Sequence, residues 1–257
     1  MTFRVVGHDQ VPAADESLTH TMCLEMTDAL FATPLDGAEL LYGLSNDLYA
    51  QEGKTYYKLN TSDNTYTELV EGMDYKVGDY IVGKYEKNTG VRDQLGYSRF
   101  SQSNLLQWLN STASSIDWFE RKSVWDIYSQ VLILKNGFCQ NLDAEFLAAV
   151  SPARITTALP AAAGGGFETT DAKFWILSIS QINGTQTNGV TENERLEWYQ
   201  AGNDPAKILM NGSAIDMCWL RSIYSTDDTR NRVIPLTRPY TYSANPVPGV
   251  VPVCIIA

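Results

Sequence analysis

The stretch Leu142-Asp-Ala-Glu-Phe-Leu-Ala-Ala-Val150-Ser-Pro152-Ala-Arg-Ile-Thr-Thr-Ala-Leu159 contains the change of pattern that sets the fold class. From Leu142 to Val150 every fourth residue is apolar, which predicts one buried face of a short helix with Phe146 at its centre. Pro152 ends this pattern, and the residues of Arg154–Leu159 favour a β-strand. We therefore expect an α+β fold in which this helix packs on a twisted antiparallel sheet through the stripe of Leu142, Phe146 and Val150.

On both sides of this stretch, helix patterns and strand patterns recur in short segments. Asn141 is expected to cap the helix that starts at Leu142. Ser101–Ser103 precedes a second predicted helix, over Asn104–Leu109. Thr191-x-x-Glu194 matches a capping box before a third, which runs to about Gln200. The further runs that favour strands are Phe174–Ile179, Met217–Ile223, Arg232–Leu236 and Gly249–Ile256. Because Pro252 lies within the last run, we expect an edge strand or a bulge there. Few short helices, many short strands and long loops are typical of the α+β class.

The chain is expected to form a single domain over residues 21–257, preceded by an N-terminal arm over residues 1–20. The arm is polar and weakly patterned, so we expect it to be poorly packed alone and ordered against a neighbouring subunit. Aromatic and apolar residues alternate on both sides of Ser62-Asp-Asn64, which predicts a β-hairpin. We interpret the region at about 45–90 around this hairpin as an insertion in the domain.

Composition argues against two classes of partner. The 257 residues carry 30 acidic and 19 basic side chains, a net charge of −11, and the basic residues are scattered, so nucleic acid is not expected as a partner. No apolar run approaches the roughly 20 residues that cross a bilayer, so membrane insertion is not expected. Residues 1–20 lack the pattern of a secretory signal, and we expect the protein to be made in the cytoplasm.

The residues that usually carry catalysis are sparse. The only histidines are His8 and His20, both in the predicted arm, and the four cysteines lie far apart without a C-x-x-C pair. We expect reduced, mostly buried thiols, no metal, no cofactor and no enzymatic activity. Acidic residues are plentiful, but no spacing singles out a catalytic pair. Gly164–Gly166 lacks the frame of a phosphate loop and is interpreted as a flexible connection.

From Tyr97 to the C-terminus the order of motifs resembles a domain family that is abundant in phages and prophages of Firmicutes. The matching segments are Tyr97–Asn110, Phe146–Val150, Arg154–Thr157, Glu168–Asp171, Phe174–Ser178, Trp219–Ser222 and Gly249–Ile256. The resemblance implies a C-type-lectin-like fold, in which the terminal Val/Ile run closes a small sheet near the opening strands. In Trp219–Ser222 it places a packed Trp beside Arg221, which we expect to pair internally.

The resemblance implies a virion structural protein, a capsid decoration or head-fibre module that takes part in host attachment. Expected partners are other virion proteins, including the major capsid protein, further copies of the chain in a homo-oligomer, and a glycan or protein of the host surface. Three alternatives stay open: a tail-associated receptor-binding protein, a relative of the formylglycine-generating enzymes, and a non-viral intracellular binding protein. Those enzymes share the fold and use a cysteine pair, but Cys218 and Cys254 do not form the matching motif.

The predicted ligand-binding surface is the segment from Tyr224 to Pro248, interpreted as long loops between rigid strands. Tyr rings offer contact area at low entropic cost and Asn adapts its hydrogen bonds, as in recognition loops. The candidate residues are Tyr224, Arg230, Asn231, Tyr240, Tyr242 and Asn245. The alternative is that Tyr240 and Tyr242 only cover the core.

Overall fold

The computed structural model describes most of the chain outside the region between residues 37 and 96. The described residues are 1–37, 41–42, 56–60, 65–69, 80–83, 92–93, 96–120, 128–129, 131–159, 164–203, 209–210, 213–214, 218–224, 227–234, 241–243 and 248–257. For the strand residues between 41 and 97, and for residues 209–210, 213–214, 224, 227–234 and 241–243, only the backbone is described.

The elements alternate between short strands and shorter helices. The strands are β1 Phe3–His8, β2 Met22–Met26, β3 Leu41–Tyr42, β4 Tyr56–Asn60, β5 Thr65–Leu69, β6 Tyr80–Gly83, β7 Arg92–Asp93, β8 Gly96–Tyr97, β9 Val150–Ser151, β10 Ala153–Ala158, β11 Phe167–Ala172, β12 Leu209–Met210, β13 Ser213–Ala214, β14 Cys218–Tyr224, β15 Asp227–Ile234, β16 Thr241–Ser243 and β17 Val253–Ile256. The helices are α1 Asn104–Leu109, α2 Ala144–Ala149, α3 Ile179–Asn183 and α4 Glu197–Gln200, with 3-10 turns at Phe100–Gln102 and Phe138–Asn141. The paired strands are antiparallel, so the predicted α+β class is confirmed. Within the described residues, no helix has the length and apolar character needed to cross a membrane.

The central sheet joins strands from both ends of the chain, in the order β1-β2-β17-β9. β17 pairs with β2 on one side and β9 on the other, so it is an interior strand and the predicted edge strand is wrong. Pro252 causes no conflict because it immediately precedes β17, where its carbonyl still accepts a hydrogen bond from the Met26 amide at 3.0 Å. The expected closure of the sheet by the terminal Val/Ile run is confirmed.

The predicted N-terminal arm is instead part of the domain. β1 pairs along β2, and Val6, Val11 and Ala13 are buried in the same core as the rest of the chain. The ring of Phe3 packs on that of Phe146, with 5.0 Å between centroids. Backbone pairing with β2 and a few well-placed apolar residues are enough to hold a segment whose polar composition suggested an arm.

Two of the predicted helices are present with the expected faces. In α1 the Ser103 hydroxyl accepts a hydrogen bond from the Leu106 amide at 3.2 Å, as the start signal predicted, and Leu105 and Trp108 are buried. In α2 the cap is Asp143 and not Asn141, because the carboxylate reaches two amides of the first turn. None of the residues of α2 is fully buried, and half-buried Phe146 rests on β1. The helix therefore packs on the sheet as expected, with Phe146 half-buried at the contact.

The third predicted helix start is wrong, and a similar one occurs elsewhere. The residues of the Thr191-x-x-Glu194 match are not helical, and α4 begins only after Leu196. A capping box does form at Ser178, whose hydroxyl accepts from the Gln181 amide and begins α3. Instead of the strand expected over Phe174–Ile179, the structure has a buried segment with one bridge to β17, from Trp175 to Val253, and Ile179 already begins α3. A capping motif therefore begins a helix only where the packing of the surrounding core allows one.

The hairpin predicted around Ser62-Asp-Asn64 is confirmed, since β4 and β5 pair from Tyr56 opposite Leu69 to Asn60 opposite Thr65. They belong to a four-stranded sheet in the order β3-β6-β4-β5. Gly164–Gly166 connects the β10–β11 hairpin, and all three φ angles are positive, between 66° and 100°. A run of such angles requires glycine and explains this sequence without a phosphate ligand.

Candidate binding surface

The candidate surface is a three-stranded antiparallel sheet in the order β14-β15-β16. Its register sets Asn231 opposite Tyr242 and Arg230 opposite Ser243, and Tyr224 opposite Asp227. Directly opposed residues of an antiparallel pair lie about 5 Å apart, so the sheet brings Asn231 and Tyr242 together. Tyr240 and Asn245, which flank β16 in the sequence, lie outside the described residues.

The surface is more regular than the sequence indicates. The strand expected at Arg232–Leu236 begins five residues earlier, at Asp227, and part of the segment interpreted as loops is strand β16. Asp and Asn are rare in strands, so the run Asp227–Asn231 reads as a turn when taken alone. Pairing with β14 on one side and β16 on the other explains its extended conformation.

The innermost strand of this sheet is anchored in the core. Trp219 and Ile223 of β14 are 1% exposed, and Leu220 is fully buried. The Trp219 indole donates to the Thr33 carbonyl at 2.7 Å, and the Trp219 amide donates to the Gly249 carbonyl at 3.0 Å. β14 therefore gives β15 and β16 a rigid support, which a binding surface needs.

Arg221 of β14 is the centre of a buried polar group, here called the Arg221 cluster and made of Arg221, Gln181, Glu192, Asn193 and Ser222. Arg221 is fully buried, and its guanidinium donates to oxygens from three separate segments of the chain. The acceptors are the main-chain oxygens of Thr156, Ile176 and Glu192 and the side-chain oxygens of Gln181 and Asn193. The expectation that Arg221 pairs internally is confirmed.

The buried carboxylate of Glu192 completes the cluster through donors of its own. One oxygen accepts from the Ala158 amide at 3.0 Å, and the other accepts from the Thr187 hydroxyl at 2.9 Å and from the Ser222 hydroxyl. Burial lowers the pKa of Arg221 to about 10, and the charge of Glu192 works in the opposite direction. Arg221 therefore stays charged at neutral pH, and the cluster ties β10, α3 and β14 together.

A second buried charge was not foreseen from the sequence. Glu25 of β2 is 1% exposed and accepts from the Arg4 guanidinium at 2.6 Å and from the Tyr199 hydroxyl at 2.6 Å. Burial raises the pKa of Glu25, although the charge of Arg4 acts in the opposite direction. The guanidinium of Arg4 also lies 4.7 Å from the ring centre of Trp198. A lone Glu inside the apolar run Met22-Cys-Leu-Glu-Met26 is the signal that could have identified it.

The cysteines and histidines have no geometry for nucleophilic chemistry. All four cysteines are free and buried, as expected. Burial raises the pKa of Cys218 and of Cys254 to about 12, so both are protonated thiols at neutral pH. His8 and His20 lie at the surface, beside Glu197 and Asp9. The described part of the chain holds no group of three or more His, Cys, Asp or Glu that could bind a metal ion.

Comparison with known proteins gives one match. No curated protein and no solved structure matches the chain. A family profile described as a domain of unknown function matches residues 73–254, which include the Arg221 cluster and all three strands of the candidate surface. Because the match covers more than half of the sequence, the chain belongs to the DUF6273 family.

Proposed function

We propose that the chain is a virion structural protein, a capsid decoration or head-fibre module with a C-type-lectin-like fold that binds a ligand on the host surface. The observation that carries this proposal is the candidate surface itself, where Asn231 and Tyr242 meet on a sheet whose inner strand is locked into the core. The sequence resemblance to phage domains supplies the virion setting.

The topology supports the C-type-lectin-like part of the proposal. Strands near the two ends of the chain meet in one small sheet, where β17 lies beside β2. Helices are short, and long connections join the sheets. This is the arrangement that the resemblance implies, with the connection-rich segment after β14 on the recognition side.

The chemistry of the surface supports binding. Tyr and Asn are the residues that adaptable recognition surfaces use. A rigid strand below the surface lowers the entropic cost of binding because little has to be ordered. The Cys218 and Cys254 thiols, with their pKa raised to about 12, disfavour the alternative of a formylglycine-generating-type enzyme.

The location is tested on purified phage particles. Antibodies against the full chain should label the capsid exterior in electron micrographs, and the protein should co-purify with the major capsid protein as a homo-oligomer. Labelling at the tail would replace the capsid proposal with the tail-associated one. Absence from the particles would overturn both.

The binding surface is tested separately with purified protein and host cells. Asn231→Ala combined with Tyr242→Ser should weaken binding about tenfold or more, since the polar and aromatic contacts that these two residues would make with the ligand are lost together. Thr241→Ser on the same strand is the matched control and should leave binding unchanged. If the double variant binds as well as the natural protein at an unchanged melting temperature, this surface is not the binding site.

A further inference from the structure

A cleft at the end of α1 has no role in the function proposed above. It has a volume of about 370 Å³ and is open on one side. Its walls come from α1, from the junction of β9 and β10, and from the end of β11. The lining residues are Ser101, Leu106, Gln107, Asn110, Pro152, Asp171, Ala172 and Lys173.

The wall of the cleft is fixed in place by Asn110. Its side-chain oxygen accepts from the amides of Lys173 at 2.8 Å and Phe174 at 3.1 Å, and its side-chain nitrogen donates to carbonyls of Leu106 and Phe174. These bonds join the end of α1 to the end of β11. The cleft therefore keeps its shape without a ligand, as small-molecule sites usually do.

Gln107 leaves a buried donor in this wall without a partner. Its Oε1 accepts from the Glu120 amide at 2.8 Å, which fixes the orientation of the side-chain amide. The other end is therefore the NH₂ group, and Nε2 is buried with no hydrogen-bond partner. Among the residues that line the cleft, this unpaired donor is available to an acceptor bound there.

Lys173 supplies a cation at the same cleft. Its Nζ donates to the Leu147 carbonyl at 3.0 Å, which leaves two of its three protons for other acceptors. Asp171 is the acid of the cleft and pairs with Arg154, with Nε–Oδ1 at 3.1 Å and Nη2–Oδ2 at 3.4 Å, and Arg154 also binds Glu16 at 3.0 Å. The ammonium of Lys173 is the cation that lines the cleft, and among the described residues it has no carboxylate partner.

The geometry points to a binding site for a small hydroxylated carboxylate, of the size of a single sugar acid. Its carboxylate accepts from Gln107 Nε2 and Lys173 Nζ. Its hydroxyl groups meet Ser101 and the carboxylate of Asp171, and its C–H face lies on Leu106 and the nearby Pro152 and Ala172. This site is separate from the β14–β16 surface and does not depend on a place in a virion.

Titration of the full chain with glucuronate, followed by calorimetry and by NMR of the Gln107 side-chain amide, tests the site. We expect saturable binding that shifts this amide, and binding about tenfold weaker for glucuronamide, which lacks the charge. No saturation, or equal binding of glucuronamide, would overturn the proposal. Equal or tighter binding of N-acetylglycine, which has the carboxylate without the sugar hydroxyls, would also overturn it.

Variants connect the binding to the cleft. Lys173→Met and Gln107→Glu should each weaken glucuronate binding about tenfold or more, while Lys135→Met and Gln140→Glu, the same changes outside the cleft, should leave it unchanged. Gln107→Glu keeps the oxygen that accepts from Glu120 but places a second carboxylate oxygen in the buried position of Nε2, so its melting temperature is measured alongside its affinity. Lys173→Gln, which keeps a donor toward Leu147, replaces Lys173→Met if that variant unfolds. Unchanged affinity in folded variants of both residues would contradict the site.

Discussion

The Arg221 cluster and the Glu25 site bury charge in two different ways. Arg221 is fully buried and is compensated by neutral oxygens from several segments, with the charge of Glu192 nearby. Glu25 is as deeply buried, but its main partner, Arg4, has a side chain that is 27% exposed. The first charge joins β10, α3 and β14, and the second fastens β1 and α4 to β2. The comparison teaches that the cost of losing a buried charge depends on how many segments it holds.

The largest expected effect is that of Arg221→Met. The change leaves the acceptors around Arg221 unpaired and the carboxylate of Glu192 without its nearby cation, so we expect a loss of about 3–5 kcal/mol in the free energy of unfolding. Urea denaturation measures it. Arg154→Met is the matched control at a pair with exposed partners and should reduce stability far less than Arg221→Met. Similar losses for Arg221→Met and Arg154→Met would mean that burying Arg221 does not raise the cost of losing its charge.

Glu25→Gln should have a smaller effect, about 1–3 kcal/mol. The amide keeps an oxygen for the Tyr199 hydroxyl or for Arg4, and Arg4 can turn toward water because it is partly exposed. The same denaturation experiment compares it with Arg221→Met. A loss as large as that of Arg221→Met would mean that the Glu25 site is as tightly coupled to the fold as the Arg221 cluster.

The effect of pH on the Glu25 site has a definite sign. Because burial raises the folded-state pKa of Glu25 above its ordinary value, the folded protein binds this proton more readily than the unfolded chain. The contribution of Glu25 to stability is therefore fully present below the unfolded pKa and is lost as pH rises through the folded pKa. Relative to Glu25→Gln, the natural protein should gain stability as pH falls through that window. Unfolding free energies of both proteins across this range measure the difference, and a change of opposite sign would mean that Arg4 outweighs burial.

Local patterns predicted the elements that depend on neighbouring residues. The α1 helix, the β4–β5 hairpin and strand β10 all follow from spacing within about ten residues. The N-terminal strand β1 and the interior position of β17 could not be predicted in this way, since both depend on pairing between opposite ends of the chain.

In the candidate site too, the sequence predicted what depends on neighbouring residues and not what depends on distant ones. Composition drew attention to Asn231 and Tyr242, but their pairing depends on the register of β15 and β16, which no sequence signal sets. The motif around Arg221 indicated an internal partner for its side chain, and Gln181, Glu192 and Asn193 were not foreseen. They lie in segments distant in sequence from Arg221, so only the folded chain identifies them.

The smallest expected effect is that of Tyr199→Phe, which removes one hydroxyl from the Glu25 site and leaves the ring in place. The hydroxyl donates to Glu25 at 2.6 Å inside the core, and a hydrogen bond to a charged group contributes about 1.5–3 kcal/mol to stability. Because Glu25 keeps Arg4 as a partner, we expect a loss near the lower end, about 1 to 2 kcal/mol. Tyr128→Phe, at a ring that is 38% exposed, is the matched control and should change stability by less than about 0.5 kcal/mol. In the double variant with Glu25→Gln the two losses should not add, because both changes act on the hydrogen bond between the Tyr199 hydroxyl and residue 25. Full additivity, or a Tyr199→Phe loss equal to that of the control, would show that the hydroxyl does not stabilise the Glu25 site.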